Sequence, residues 1–373
     1  MTSRPLPIFY TLPNLVTAGS GRALFEIARR LDRTRFAPHL CLASRGGALE
    51  RAFLDADIPG VEGAVTVPGM PRTSFPGRAW RAAQALEGVA PRGAIWHSFH
   101  YLDDYSEAVV ARCCGARAWL YTKKNMSWSG RSWQLRTWGA KRVLVQNRDM
   151  MRDFFGGCWR RRARYVPRGV DTERFAPRPD SAPSSESADP DRRLEVGVVA
   201  HLVPVKGHPT LLDAVARRPR WRLHIAGRAH DAEYRDALGA QVERLGIGER
   251  VRFRGGVDDV PGFLHSLDAF VLPTWARWRM EGCPVALLEA MASGLPSVAT
   301  DIPGSRDLVE NDRSGLLVPP EDASTLAGAL ERLEGAALRR RLGRGARRRV
   351  EAHFAIEREV ADHEAIYAEV GGR

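Results

Sequence analysis

The chain has 373 residues, 44% hydrophobic and 27% charged, with five cysteines and no CxxC pair; that is enough for about two domains with their own cores, and it excludes a disordered or disulfide-stapled protein. No apolar run reaches the length of a transmembrane helix, the N-terminus lacks a signal-peptide pattern, and the odd number of cysteines reads as reduced thiols, so a cytoplasmic location is expected. The net charge of +12 is uneven: residues 1–177 hold 28 basic and 14 acidic side chains, against 28 and 30 in residues 178–373. An anionic partner facing the first half fits this, as does a plain solvated basic surface.

In chain order, "PIFYTL", "APHLCLAS", "GAIWHS", "RAWLYT" and "RVLVQN" read as strands. Between them, "GRALFEIARRLD" and "DDYSEAVVARCC" carry helical periodicity. The segment 178–193, "RPDSAPSSESADPDRR", is poor in apolar residues and reads as a flexible linker. Beyond it, "LEVGVVAHL", "WRLHIAG", "RVRFRG", "AFVLPT" and "PSVAT" are strand-like, and "GHPTLLDAVARR", "DAEYRDALGAQVERLG" and "PVALLEAMASG" helix-like. Alternation of this kind predicts βαβ units and a parallel sheet, twice over: a first domain at 1–177 and a second at 194–354. The closing stretch, within 355–373, reads as an amphipathic helix packed back on the first domain. Two doubly wound α/β domains would face each other across a cleft, with ligands at the carboxyl ends of the strands.

One stretch carries the chemistry. In "MEGCPVALLEAMASGLPSVAT", Glu281 and Glu289 stand with seven residues between them. Pro284 suits the first turn of a helix and Gly294 its end, so Glu281 falls in the loop before that helix and Glu289 about a turn and a half inside it. A carboxylate only accepts hydrogen bonds, which suits paired sugar hydroxyls. The N–H groups of Val285 and Ala286 at the helix start suit phosphate oxygens. The same spacing also fits a helix cap at Glu281 and an arginine partner for Glu289.

The segment "EGCPVALLEAMASGLPSVATDIPGSRDLVENDRSGLLVPPEDASTLAGAL" resembles the signature of the retaining nucleotide-sugar glycosyltransferases of family 4, also termed group 1, which have the GT-B fold of two Rossmann-like domains. "VVAHLVPVKGHPTLLDAVA" resembles that family's phosphate-binding strand–loop–helix, and "PNLVTAGSGRALFEIARRL" its N-terminal glycine-rich loop. The likeness covers most of the chain, strongly at 194–320 and weakly at 60–160. It implies an acceptor-binding first domain and a donor-binding second one. By the same resemblance, Glu281 binds hydroxyls of the donor sugar, Glu289 holds the ribose, and Lys206 meets the diphosphate, with Gly282, Cys283, Pro284, Val285 and Ala286 lining the donor site. The glycine loop, Gly19, Ser20 and Gly21, contacts the diphosphate or the acceptor hydroxyl.

Two positions depart from that pattern. His201 stands where the family often has an arginine clamp, so His201 is a weaker clamp or Arg228 contributes. In the first domain, where many relatives have a histidine, the chain has Lys123, Lys124 and Asn125, with His97 and His100 at the end of the preceding strand. Lys124, Asn125 and His100 are the candidates there. Trp275, Trp278 and Arg279 are candidates for specificity, and the pairs Asp103–Asp104 and Asp258–Asp259 read as helix starts rather than a metal motif.

The resemblance implies transfer of a hexose-like unit from a nucleoside diphosphate sugar, with retention, to a glycan, lipid-linked or small-molecule acceptor in cell-surface polysaccharide or glycolipid synthesis. It implies neither metal nor cofactor, the nucleotide sugar being a substrate. "GRAWRAAQAL", "GRSWQLRTWGAKR" and "CWRRRARY" interleave Arg with Trp, which suits a peripheral site on an anionic membrane better than nucleic acid. The alternatives are a nucleotide-sugar epimerase of the same fold and a non-catalytic sugar- or membrane-binding protein. A dinucleotide dehydrogenase would need G-x-G-x-x-G directly after a strand, which "TAGSGRALF" does not provide.

Overall fold

A computed structural model describes residues 4–15, 18–47, 49–63, 75–100, 105–128, 130, 132–178, 193–277 and 281–372. All but the ends of the expected linker 178–193 lie outside these residues, as do Asp103, Asp104, Trp278 and Arg279. The chain forms two compact units, Met1–Arg168 with Ile356–Arg373, and Gly169–Ala355.

The first unit runs β1 (Leu6–Leu12), α1 (Ala18–Ala28), β2 (Phe36–Leu42), α2 (Leu49–Asp55), β3 (Gly60–Glu62), α3 (Phe75–Ala85), β4 (Ile95–Ser98), α4 (Ser106–Cys113), β5 (Ala118–Lys123), α5 (Ser132–Gly139), β6 (Arg142–Val145), α6 (Arg148–Asp153) and β7 (Ala163–Tyr165). Its strands are all parallel, in the order β3-β2-β1-β4-β5-β6-β7. β1 is buried at every position but Pro7, the unbroken apolar run of a parallel strand covered on both faces. The three-residue strands β3 and β7 were too short to give a periodic signal in the sequence.

The second unit runs β8 (Leu194–Val199), α7 (His208–Ala216), β9 (Trp221–Ala226), α8 (Ala232–Arg244), β10 (Val251–Gly255), α9 (Val260–His265), β11 (Ala269–Leu272), α10 (Val285–Ala292), β12 (Ser297–Thr300), α11 (Ser305–Leu308), β13 (Leu316–Val318), α12 (Ala323–Arg332) and α13 (Ala336–His353). Its parallel strands take the order β10-β9-β8-β11-β12-β13. Aspartates start several helices: Asp231, Asp259 and Asp322 accept the N–H groups of Glu233, Gly262 and Ser324. Asp259 is thus a helix cap.

The last helix, α14 (Ile356–Gly371), belongs to the first unit. Tyr367 Oη lies 2.7 Å from His97 Nδ1 and donates to Tyr10 Oη at 3.0 Å. Arg168 Nη1 meets Glu359 Oε1 at 2.9 Å with both side chains buried. All five cysteines are free, Cys41 and Cys283 buried.

Candidate active site

In each sheet the order of strand addition reverses once, between β1 and β4 and between β8 and β11, while every strand stays parallel. Loops leaving the two strands at such a point diverge and leave a crevice at the carboxyl edge. In the second unit, the loops after β8 and β11 and the start of α10 meet there.

The loop after β8 is tightly held. Leu202 N donates to Arg228 O at 3.0 Å, and Pro204–Lys206 form a 3-10 turn closed by Gly207 at φ +69°. A Cβ on Gly207 would overlap the Pro273 carbonyl oxygen and come within 2.9 Å of Trp275 Cδ1. Glycine is required here by both the backbone angle and the close approach. Trp275 pins the two loops together: its N–H donates to Val205 O at 2.8 Å, and its indole Nε1 to Thr210 Oγ1 at 2.9 Å.

This packing holds Lys206 in place, and Lys206 Nζ lies 2.6 Å from Glu281 Oε1. The two residues assigned separately to diphosphate and sugar are thus in direct contact. The lysine is largely covered and the glutamate half-exposed, so an approaching ligand can compete for both. Gly304, at φ +91°, lies close under the same loop: an added Cβ would sit 2.8 Å from the Gly282 carbonyl oxygen and 3.1 Å from that of Glu281.

Pro284 is the residue before α10 rather than its first helical residue, with extended backbone at φ −75° and ψ 105°. Pro284, at the N-cap position, gives α10 no side-chain cap; Val285 and Ala286 are partly exposed in its first turn. Free N–H groups at a helix start favour an anion. Gly282, Cys283 and Pro284 are buried, and Glu289 is partly exposed between buried Leu288 and Ala290.

The Arg228 side chain lies along Gly256, where an added Cβ would sit 2.7 Å from its Nε. His201 instead faces His230, ring centroids 4.5 Å apart. Burial first, then the nearby His230 and Lys206, hold the His201 imidazole below its usual range, while Arg228 and Glu281 oppose this. His230 was not singled out from the sequence; its only signal was a second imidazole just after β9, one strand from His201. Buried His208, the first residue of α7, has both ring nitrogens without a partner among the described residues and is held down to about 4 by burial and Lys206.

The first unit's switch point is also polar. Gly19, Ser20 and Gly21 do not form a loop: they lie in the first turn of α1. At Gly21 the side chains of Leu15 and Leu49 come to 3.2 Å from where a Cβ would be, so the small residue lets both pack there. Ser20 is buried, and Lys124 Nζ donates to its hydroxyl at 3.1 Å and to Phe99 O. Burial, with Arg168 and Arg136 nearby, holds the Lys124 ammonium well below its usual range. Asn125 accepts from Lys123 Nζ at 2.6 Å; that ammonium also stands 3.6 Å over the Trp128 ring. His100 is buried, its ring nitrogens unpaired among the described residues, and is held down to about 3 by burial, Arg136 and Lys124. His97 differs: it is fully buried, bonded to Tyr367 and to Thr122 at 2.9 Å, and serves the core.

Two buried charges here escaped the sequence reading. Arg136 sits in a segment read as membrane-facing, yet it is buried, with Nη2 3.0 Å from Ser98 Oγ and its guanidinium 4.5 Å over the Tyr121 ring. Its neighbours Leu135 and Trp138 are the exposed ones, at 52% and 70%. Glu107, buried in α4, accepts from Thr11 Oγ1, and burial raises its carboxyl above the usual range. Among the described residues no group of three or more His, Cys, Asp or Glu could hold a metal ion, and no helix is long and apolar enough to cross a membrane.

Two all-parallel, doubly wound units, each with a polar switch point, make this a GT-B fold. Residues 183–349 match the family described as glycosyl transferases group 1. A GDP-mannose-dependent alpha-(1-6)-phosphatidylinositol monomannoside mannosyltransferase of Mycobacterium tuberculosis is 33% identical over 181 residues, covering 45% of this chain and 46% of that protein. Among solved structures, a glycosyltransferase from Rickettsia africae superimposes with a TM-score of 0.83 at 17% identity, covering 99% of both chains. Anabaena Alr3699/HepE, solved with UDP-glucose, gives 0.78 at 18% identity, covering 97% of this chain and 100% of that one. The matches span about half the length of the curated relatives, 42% to 58% in the first three.

Proposed function

We propose that the protein transfers a hexose from a nucleoside diphosphate hexose, with retention, to a glycan or lipid-linked acceptor in cell-surface polysaccharide or glycolipid synthesis. One observation carries this reading: Lys206 and Glu281, from loops on either side of the second unit's switch point, meet at 2.6 Å beside the uncapped start of α10. A donor arriving there exchanges that ion pair for two interactions. The Lys206 ammonium turns to the diphosphate, and the Glu281 carboxylate accepts from sugar hydroxyls. The N–H groups of Val285 and Ala286 take phosphate oxygens, and Glu289 the ribose hydroxyls.

The chemistry then rests on the leaving group. As the anomeric carbon–oxygen bond breaks, charge grows on the diphosphate, where Lys206 and the helix start already stand. The acceptor hydroxyl attacks from the same face and gives its proton to the departing phosphate oxygen, which accounts for retention without a carboxylate nucleophile. No metal or cofactor is assigned a step. In the first unit, Lys124, Asn125 and His100 are proposed to orient the acceptor, with the first turn of α1 (Gly19, Ser20, Gly21) beside them.

We further propose that the first unit meets the surface of an anionic membrane. Helix α4 packs against both α3 and α5, and these neighbours expose Trp80, Leu135 and Trp138. The three helices carry one acid, the buried Glu107, while Arg81 and Arg112 are exposed. Interfacial tryptophan with surrounding arginine suits an anionic headgroup layer. The GDP-mannose-dependent relative, which acts on a phosphatidylinositol mannoside by its name, favours both a nucleotide-sugar donor and a lipid acceptor.

The test is a thermal-shift and hydrolysis screen against UDP- and GDP-hexoses, with Glu289→Ala beside the parent protein. Stabilisation and slow hydrolysis by one nucleotide sugar, both lost in the variant, is the expected result. No response to any nucleotide sugar would remove the enzyme reading and favour a non-catalytic binding protein.

A further inference from the structure

The loop that leads from β8 to Lys206, at the edge where the second unit would hold a diphosphate, carries an imidazole. His201 lies two residues beyond the strand, its ring partly buried and its Nδ1 without a hydrogen-bond partner among the described residues. His230 lies beyond the adjacent strand β9, exposed, with its ring centroid 4.5 Å from that of His201 and the planes at 49°. The parallel bridge between Leu202 and Ala229 fixes the two loops beside each other. The titratable groups acting on His201 include His230, Lys206 and Glu281, and the Arg228 backbone hydrogen-bonds it.

We propose that His201 and His230 form a proton-coupled clamp for the donor diphosphate, taking up a proton from solvent as the nucleotide sugar binds. The inference rests on the donor-site reading above and adds to it a requirement for protons. The local charge balance argues for it. Lys206 is already matched by Glu281 at 2.6 Å, so with both imidazoles neutral the group carries no net positive charge. A diphosphate diester brings two negative charges. Burial keeps the His201 ring neutral before binding, and an anion placed against it reverses that preference. Protonation turns the unpaired Nδ1 into a donor, and one proton for the two neighbouring rings avoids the cost of two cations 4.5 Å apart. Arg228, whose side chain lies along Gly256, leaves this place to the histidines.

The test is calorimetric titration of the full chain with GDP-mannose and with UDP-glucose at pH 6, 7 and 8, in phosphate and in Tris. Neither diphosphate diester titrates in that range, and the two buffers differ in ionisation enthalpy, so heat differences count protons. The expected result is net proton uptake at pH 7 and a Kd that weakens severalfold from pH 6 to pH 8, one unit of bound-state shift setting a ceiling of about a factor of ten. His201→Arg should bind with a flat pH profile and little uptake, and His230→Gln should reduce uptake. Binding with equal heats in both buffers and a constant Kd would overturn the clamp while leaving the donor site standing. Uptake that persists in the double variant His201→Arg, His230→Gln would also overturn it. Failure of both nucleotide sugars to bind at every pH would remove the donor-site reading itself, and the clamp with it.

Discussion

Replacing Gly207 by alanine tests whether the close approach of the loops after β8 and β11 builds the site. Gly246 is the natural control: its φ of +64° nearly equals the +69° of Gly207, but an added Cβ there meets nothing within 4 Å. Left-handed backbone with a Cβ costs roughly 1–2 kcal/mol. Gly246→Ala should lose that amount alone. Gly207→Ala adds overlap with the Pro273 carbonyl and a 2.9 Å contact to Trp275, for which forced repacking costs typically about 1–3 kcal/mol. In a unit of this size each kcal/mol lowers Tm by about 2–4 °C. Differential scanning calorimetry should therefore show a loss of about 2–8 °C for Gly246→Ala and about twice that for Gly207→Ala. Nucleotide-sugar binding should fail only in Gly207→Ala, because Lys206 immediately precedes the displaced residue. Equal losses in Tm, or a Gly207→Ala protein that binds donor like the parent, would refute the reasoning.

Three further outcomes follow from particular contacts. Tyr367→Phe removes the hydroxyl between His97 and Tyr10; leaving buried His97 short of a partner should cost about 1–3 kcal/mol in urea titrations and raise hydrogen exchange in α14. Stability should fall on acidification from pH about 6.5 towards 4, because His208 and His363 are held neutral down to about 4 and His100 to about 3. The unfolded chain binds protons first in that window, so unfolding free energy rises with pH there, and a flat profile between pH 4 and 6.5 would refute it. Replacing Trp80 and Trp138 together by glutamate should leave Tm within about 2 °C but abolish sedimentation with phosphatidylglycerol vesicles, with phosphatidylcholine vesicles as the control; unchanged sedimentation would refute the membrane reading.

Much of this protein is local in origin. Parallel strands buried on both faces are near-continuous apolar runs, and helices between them repeat near 3.6 residues, so β1, β2, β4–β6, β8, β9, β11 and β12 stand out in the sequence; the exposed edge strand β10 shows instead as an alternating one. The placing of Glu281 in the loop before α10 and of Glu289 within that helix was equally legible, because both positions follow from local signals. Short elements such as β3, β7 and β13 were not, since three residues carry no period. What only the tertiary structure decided are relations across strands. His97 and His100 are three residues apart, yet one bonds α14 in the core and the other lies beside Lys124 and Arg136. Arg136 and Trp138 share a helix, yet sheet packing buries the first and exposes the second. Lys206 meets Glu281, and His201 meets His230, because strand order brings distant loops to one edge. Sequence spacing sets which face a residue occupies on its own element; only the order and closeness of the neighbouring strands set which charge it meets.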